Sequence, residues 1–274
     1  MIKSDWHIHS DASYDSKLPL REIAEKGRAM GLSRIGIADH VNYNEPMFFD
    51  SLVDSANKVK ALSGEFPELI LGVELTPVNK PEYDYLAKHG TRDGYEHVLS
   101  DKPLDMELAV SKEHLLLHGV RYAVGAAHWR VDVSDRRTPG EKDVLIRDWH
   151  RQQLYLACDE RVTILGHPWY HGAGLWYDDF SAIPRSMNDE LCAALLENGK
   201  YIECNYDAIK KANEKFHHQY AEFLREMFER GVPVTYGSDC HNQYVDKRDD
   251  AWTYLSKAGF KDGDITEVKE SDLW

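Results

Sequence analysis

The amino-acid sequence predicts a single α/β domain of 274 residues, folded as a parallel barrel of seven strands with intervening helices. Three observations predict this fold class. Seven short apolar segments are spread along the chain, stretches of helical periodicity separate them, and each segment ends in a side chain that can bind a metal ion. Because parallel α/β barrels carry their functional residues at the C-terminal ends of their strands, we expect these side chains to meet at one rim.

Each predicted strand is a run of mainly apolar residues that ends in a histidine, a carboxylate or an amide side chain. In chain order they are residues 5–9, 35–40, 70–74, 122–128, 163–167, 201–205 and 234–241. The segments between them repeat apolar residues at intervals of three and four, as helices do. Helices are predicted at residues 20–30, 52–66, 104–117, 144–157, 190–196 and 220–228. This alternation indicates a parallel sheet with right-handed crossover connections.

The chain is predicted to form one domain over residues 1–274, because no linker rich in proline, glycine or serine divides it. The least regular stretches are residues 76–102 and 169–186. The second stretch follows the fifth strand and is rich in tryptophan, tyrosine and histidine. Loops that leave the strand ends of a barrel form its substrate pocket, so we expect this aromatic loop to be a pocket wall.

Composition restricts the classes of partner. The net charge is −14 and no basic run is present, which argues against binding of long nucleic acids. No apolar stretch approaches about 18 residues and no signal peptide is recognisable, so we expect a cytoplasmic protein without membrane contact. The four cysteines form no C-x-x-C pair, and we expect buried free thiols.

The strand ends indicate a metal site. His7 and His9 are two residues apart on an extended segment, so their side chains share a face about 6–7 Å apart and can close on one ion. This pair alone is a weak signal in a chain with 14 histidines. Its weight comes from the ends of the other strands, where four further histidines, His40, His128, His167 and His241, occur together with the carboxylates Asp39, Glu74 and Asp239. Mixed imidazole and carboxylate ligands suit zinc, iron(II) or manganese.

Seven short motifs carry a family resemblance. They are His7-Ile8-His9-Ser10, Ser13-Tyr14-Asp15, Ile37-Ala38-Asp39-His40, Gly72-Val73-Glu74, Ala126-Ala127-His128, Gly166-His167-Pro168 and Gly237-Ser238-Asp239-Cys240-His241. In order and spacing they resemble the motifs of the polymerase and histidinol phosphatase (PHP) superfamily of metal-dependent phosphoesterases. The resemblance covers nearly the whole chain and is greatest to the histidinol-phosphatase-like branch. It implies a distorted seven-stranded, TIM-like (βα)7 barrel.

The resemblance also implies three divalent transition-metal ions, with zinc, iron and manganese as the candidates. The first ion would be bound by His7, His9, Glu74 and Asp239, the second by Glu74, His128 and His167, and the third by Asp15, His40 and His241. Glu74 would bridge two ions, and a hydroxide shared between ions would be the nucleophile. Asp11 lies close to Asp15 and is the alternative acidic ligand, although the spacing favours Asp15.

Other residues near the strand ends have candidate roles. Asp239 is predicted to accept the proton of the attacking water, in addition to binding metal. Asp39 either orients a ligand imidazole or the first strand, or caps a strand end. Arg130 is a candidate phosphate or carboxylate clamp, with a surface salt bridge as the alternative. His171 is a candidate donor to the phosphate or leaving group, with an ordinary loop histidine as the alternative.

Together these features predict a metal-dependent phosphoesterase that hydrolyses a small-molecule phosphate ester, as a histidinol phosphatase does. Three alternatives remain open at this stage. The same cluster could hydrolyse a C–N or C–O bond, as in amidohydrolases. It could act on a cyclic phosphodiester or the end of a short oligonucleotide, or the domain could bind metal without being an enzyme.

Overall fold

The computed structural model describes residues 2–42, 46–79, 106–108, 110–128, 139–169, 179–210 and 212–274. Within these residues, seven parallel strands form one sheet in the order β1-β2-β3-β6-β7-β8-β9. Their bounds are β1 Ser4–Ile8, β2 Arg34–Ile37, β3 Glu68–Leu75, β6 Tyr122–Gly125, β7 Ile164–Leu165, β8 Tyr201–Cys204 and β9 Val234–Tyr236. The predicted α/β class and seven-stranded barrel are confirmed.

The barrel is nearly closed, because its first and last strands meet at their C-terminal ends. A parallel bridge joins Ile8 and Cys240. The backbone N–H of Asp239 donates to the carbonyl of His7 at 2.7 Å, and that of His9 donates to the carbonyl of Cys240 at 3.0 Å. The first and last sequence motifs therefore become neighbours although more than 200 residues separate them.

Seven α-helices lie within the described residues. They are α1 Leu20–Ala29, α2 Pro46–Ala61, α3 Lys112–Leu117, α4 Pro139–Cys158, α5 Arg185–Glu197, α6 Glu214–Glu229 and α7 Arg248–Leu255. α6 shows the general pattern, because the Asn213 side chain caps its first turn by accepting from the Phe216 N–H at 2.9 Å, and its apolar face is buried. None of the described helices is long and apolar enough to cross a membrane.

Five of the six predicted helices differ from the observed ones by several residues. α4, α5 and α6 begin five or six residues before their predicted starts, and α2 begins at Pro46 rather than at residue 52. α2 ends at Ala61 rather than at residue 66, and Gly64 with φ +84° lies in the turn that follows. The prediction of a helix from residue 104 is wrong, because Met106–Glu107 is a strand, β5, that pairs antiparallel with β4 (Val78–Asn79). α3 begins only after Ser111, whose side chain accepts from the His114 N–H at 3.2 Å.

The cysteine prediction is correct at three positions. Cys192, Cys204 and Cys240 are free and buried. Cys158 is free but exposed, because it is the last residue of α4 and lies at a helix end rather than on a packed face.

Two aromatic side chains, Trp6 and Tyr122, pack together in the buried interior of the barrel. The ring of Tyr122 packs edge-on against Trp6 with 5.4 Å between ring centroids, and its hydroxyl donates to the Trp6 carbonyl at 2.8 Å. Gly36 and Gly72 leave the room for this ring, since an added Cβ would lie 2.1 Å from the Tyr122 hydroxyl oxygen at Gly36 and 2.3 Å from the ring at Gly72. These two glycines are therefore required by packing.

The C-terminal residues cover the opposite end of the barrel from the strand-end motifs. Val268 and Leu273 are buried in one cluster with Trp6 and Tyr122. The backbone N–H of Trp274 donates to the carbonyl of Arg121, just before β6, at 2.7 Å. The end of the barrel at which the strands begin is thus closed by apolar packing. The end at which they finish carries the polar residues.

The packing around Tyr122 yields a test of the barrel interior. Gly36→Ala should lower the free energy of unfolding by about 1–3 kcal/mol, because the added methyl group overpacks the interior. The same substitution in a Tyr122→Phe background should cost less, since the hydroxyl oxygen is the atom closest to the added methyl group. Denaturant unfolding of the four proteins of this cycle measures the difference, and equal costs in both backgrounds would show that the two residues do not compete for space.

Candidate metal centre

All nine residues predicted as metal ligands lie together at the C-terminal ends of the strands. They form three groups, within each of which the candidate ligand atoms are within 4.8 Å of one another. Group one is His7, His9 and Asp239; group two is Glu74, His128 and His167; group three is His9, Asp15, His40 and His241. The groups differ from the predicted ligand sets in two respects, because Glu74 is not a member of group one and His9 also belongs to group three.

Group one is built where β1 meets the segment after β9. His7 and His9 project from the same face, with 3.1 Å between their Nε2 atoms. Asp239 Oδ1 lies 3.6 Å from His7 Nε2 and 3.2 Å from His9 Nε2. Three potential ligand atoms from two ends of the chain therefore surround one point.

Group two is centred on Glu74 near the end of β3. Glu74 Oε1 lies 3.2 Å from His167 Nε2 and 3.4 Å from His128 Nε2. The other oxygen, Oε2, faces group one, at 3.4 Å from His9 Nε2 and 3.5 Å from His7 Nε2. The two oxygens of one buried carboxylate thus face two different groups, which is the arrangement expected of a bridging ligand.

Group three lies on the more open side of the cluster. Asp15 Oδ2 is 3.1 Å from His40 Nε2 and 3.2 Å from His241 Nε2. The alternative residue, Asp11, instead pairs with Lys58 Nζ at 2.9 Å and is in none of the three groups. The geometry therefore supports Asp15 over Asp11 as the acidic member.

The backbone is strained at the loops that carry these side chains. His167, Trp169 and Asp239 have positive φ values of 22°, 60° and 53°. Residues other than glycine rarely adopt this backbone conformation. Each such conformation costs on the order of 1–3 kcal/mol and persists only where surrounding contacts impose it. One such contact is at Trp169, whose N–H donates to Gln153 Oε1 at 3.0 Å. Strain of this kind is concentrated at functional sites.

Burial keeps two of the imidazoles neutral. It lowers the pKa of His9 to about 4, with repulsion from His241 and His40 adding to the effect. Burial also lowers the pKa of His128 to about 3, although Glu74 opposes the shift. Both rings are therefore unprotonated at neutral pH, which is the state in which imidazole binds metal.

The two central carboxylates are ionised. Burial alone would raise the pKa of Glu74, but the nearby imidazoles of His40, His128 and His7 hold that pKa well below its usual value. Burial likewise acts against ionisation of Asp239, and attraction to His7 and His9 lowers the pKa of Asp239 below its ordinary range. The cluster therefore offers negative oxygen atoms and, from His9 and His128, neutral nitrogen atoms to a common centre.

The donor chemistry fits bound divalent cations. His7 Nδ1 must donate to Glu203 Oε1 at 2.8 Å, because a carboxylate only accepts, so a neutral His7 turns the lone pair of Nε2 towards acceptor atoms of group one. Glu74 Oε2 is buried and lies 2.9 Å from His40 Nδ1, but it accepts no well-directed hydrogen bond from the described residues. Acceptors that face acceptors in a buried site are stabilised by a cation between them.

Of the residues predicted to act beside the ligands, Asp39 is described by the structure, and Arg130 and His171 are not. Asp39 accepts from the Ser10 N–H at 2.6 Å and from the Ser10 hydroxyl at 2.7 Å, and also from the Ser55 hydroxyl. It therefore holds the segment that follows β1, in agreement with one of its predicted roles. Arg130 and His171, the predicted substrate-binding residues, lie outside the described residues, and their roles remain predictions.

Sequence reasoning did not assign roles to two residues that touch the ligands. Thr76 Oγ1 lies 2.7 Å from His128 Nδ1, and Glu203 contacts His7. A signal existed for Glu203, because it lies in the sixth strand segment, where a buried carboxylate among apolar residues demands a partner. Its partner His7 is 196 positions away, so sequence patterns could not identify it.

Comparison with known proteins agrees with the fold. The chain is similar in structure to histidinol phosphate phosphatase from Lactococcus lactis, complexed with zinc, L-histidinol and phosphate, with a TM-score of 0.67, 19% identity and coverage of 94% of both chains. It is also similar to a proposed histidinol phosphatase from Listeria monocytogenes, with a TM-score of 0.60, 11% identity and coverage of 88% of this chain and 96% of the other. At these identities the likeness establishes the fold. No curated protein matches the sequence.

The family is established by a direct match. The model of the PHP domain matches residues 5–207, which is most of the chain and includes seven of the nine candidate ligands. The remaining two, Asp239 and His241, lie beyond the match, and the structure places them beside His9 and Asp15. The chain therefore belongs to the PHP family and is a metal-dependent hydrolase of the phosphoesterase type.

Proposed function

We propose that the chain is a phosphatase that binds three divalent transition-metal ions and hydrolyses a small-molecule phosphate monoester. The observation that carries the proposal is the convergence of nine imidazole and carboxylate side chains in three adjoining groups. Three groups support three ions, with His9 and Glu74 at the boundaries between groups. Bound divalent ions would supply a water molecule of lowered pKa and positive charge beside the phosphoryl oxygens.

The exposure of the ligands indicates the direction from which substrate arrives. The side chains of His7, His9 and Glu74 are 0–1% exposed, so they form the floor of the site. Asp15 and His241 are each 28% exposed, and Asp239 is 17% exposed. His128 of group two is 22% exposed. A phosphoryl group therefore meets Asp15, His241, His128 and Asp239 first, and Glu74 stays inaccessible beneath them.

Asp239 is the carboxylate best placed to accept a proton. Its Oδ1 faces His7 and His9, whereas its Oδ2 is contacted by Asn205 Nδ2 at 3.4 Å. Asp239 is partly exposed, so a water molecule and a substrate can both reach it. Its depressed pKa keeps it ionised at neutral pH, as a general base must be before it accepts a proton.

Histidinol phosphate is the first substrate that we propose. The relative from Lactococcus lactis is a histidinol phosphate phosphatase and carries zinc, L-histidinol and phosphate in its structure. That protein and this chain correspond over 94% of both lengths. The proposal for this chain rests on that likeness, on the PHP family match and on the acidic net charge, which disfavours long polyanions.

Metal content gives the first test of the centre. Protein purified without chelator should contain two to three ions of zinc, iron or manganese per chain by elemental analysis. Glu74→Gln should lose more than one ion, because both of its oxygens face ligand groups. Asp11→Asn is the matched control and should keep the full content, since Asp11 lies outside the groups. Wild-type protein with no bound metal and no activation by added metal would refute the centre.

The role of Asp239 is tested by Asp239→Asn. The change keeps the size of the side chain but removes its charge and its proton-accepting oxygen. We expect kcat to fall roughly 100-fold or more, the usual scale of general-base catalysis, with a loss of at most one ion. Asp11→Asn again serves as the control. Full activity of a fully metallated Asp239→Asn protein contradicts the base assignment, and recovery in excess metal would reduce Asp239 to a ligand.

A substrate panel tests the reaction class. Steady-state rates on histidinol phosphate, a generic aryl phosphate, a cyclic nucleotide and single-stranded DNA should favour the small monoesters. The physical reason is the lack of a basic run that could track a phosphate backbone. Robust degradation of long DNA at physiological salt is the outcome that excludes this specificity. Hydrolysis of amides without phosphatase activity would instead indicate C–N chemistry.

A further inference from the structure

Glu203 is a fully buried carboxylate that lies behind the candidate ligands without belonging to any of the three groups. It is on β8 and is 1% exposed. Its Oε1 accepts from His7 Nδ1 at 2.8 Å, and its Oε2 accepts from the backbone N–H of His167 at 2.6 Å. One side chain thus touches group one through an imidazole and group two through a backbone.

The contact with His7 selects the ring nitrogen that faces the site. An ionised carboxylate cannot donate, so the hydrogen of a neutral His7 is on Nδ1 and its lone pair is on Nε2. Nε2 is the atom that lies 3.1 Å from His9 Nε2. Carboxylates that hold the second nitrogen of a ligand histidine orient the ring and increase its basicity towards metal.

The contact with His167 acts on the backbone instead. His167 has φ 22°, and the N–H of this strained residue donates to Glu203. The conformation brings His167 Nε2 to 3.2 Å from Glu74 Oε1. A short hydrogen bond to a buried carboxylate is strong enough to help hold a strained residue in place.

Two neighbouring residues, Asn205 and Gly237, help to position the Glu203 carboxylate. Asn205 Nδ2 lies 3.3 Å from Glu203 Oε2 and 3.4 Å from Asp239 Oδ2, which extends the contacts to a third ligand. Gly237 leaves the space, because a Cβ at that position would lie 1.8 Å from Glu203 Oε1. Any other residue at 237 would displace the carboxylate or the His7 side chain beside it.

We propose that Glu203 is a positioning residue that links groups one and two, so that metal binding in both groups depends on this one side chain. It orients His7 in group one and holds the strained backbone of His167 in group two. The inference rests on the proposed metal centre and adds to it an interdependence between two ions.

Glu203→Gln is the direct test. Glutamine keeps the shape, but its NH₂ group must face one of the two donors, so either the His7 ring or the His167 backbone loses its acceptor. The other donor keeps only a neutral amide oxygen, which is a weaker acceptor than a carboxylate, so both contacts are impaired. Titration of metal-free protein with zinc should show binding at least tenfold weaker in two binding events. Thr76→Val is the matched control: it removes the hydroxyl beside His128 and should weaken binding in group two alone.

Two further measurements separate positioning from general stability. Thermal unfolding of the metal-free proteins checks that Glu203→Gln still folds. Long-range ¹⁵N–¹H NMR of zinc-loaded wild-type protein reports the His7 tautomer directly and needs no variant. We expect the hydrogen on Nδ1 in the wild type and a changed Nδ1 signal in the variant.

Each outcome bears on a different claim. Zinc binding by Glu203→Gln with wild-type affinity overturns the inference, as does a His7 ring in wild-type protein with its hydrogen on Nε2. Weakening confined to one binding event overturns the link between the groups. If wild-type protein binds zinc and depends on Glu203 but hydrolyses no phosphate ester, the proposed function fails and the inference stands. If wild-type protein binds no divalent metal, both fail.

Discussion

The structure depends on holding ionised carboxylates and imidazoles together in a buried site. Each buried charge costs several kcal/mol unless partners compensate for it. Glu74 meets this requirement through contacts with imidazoles of all three groups, from His7, His40 and His167. Because each of these side chains is a partner of others, removal of one leaves an uncompensated group behind. The site is therefore an interdependent cluster, and divalent cations are the charges that complete it.

The barrel produces this convergence by simple means. Parallel strands end at the same rim, so residues far apart in sequence become neighbours when each occupies a strand end. The polar rim is supported from below by an apolar interior, in which Tyr122 occupies the space left by Gly36 and Gly72. Closure between the ends of β1 and β9 then brings Asp239 to His9. Packing at one end of the barrel and chemistry at the other are thus separated along the strands.

Most of the fold was predictable because apolar strands that end in ligand side chains are a strong repeated signal. The helix starting at residue 104 was predicted wrongly, since helical spacing does not distinguish a short strand whose partner, Val78–Asn79, is distant. All nine candidate ligands were predictable from motif order. Glu203 was not, because its function depends on contacts with His7 and His167 that only the folded chain creates. The positive φ of Asp239 likewise could not be predicted, because the sequence indicates such a backbone conformation only where glycine occurs.

Anomalous diffraction from crystals of zinc-loaded protein, recorded on both sides of the zinc absorption edge, tests the central claim most directly. The account predicts three zinc peaks, one in each group, with Glu74 between two of them and His9 beside the ions of groups one and three. Zinc peaks elsewhere on the molecule, or none among the nine side chains, would contradict the account.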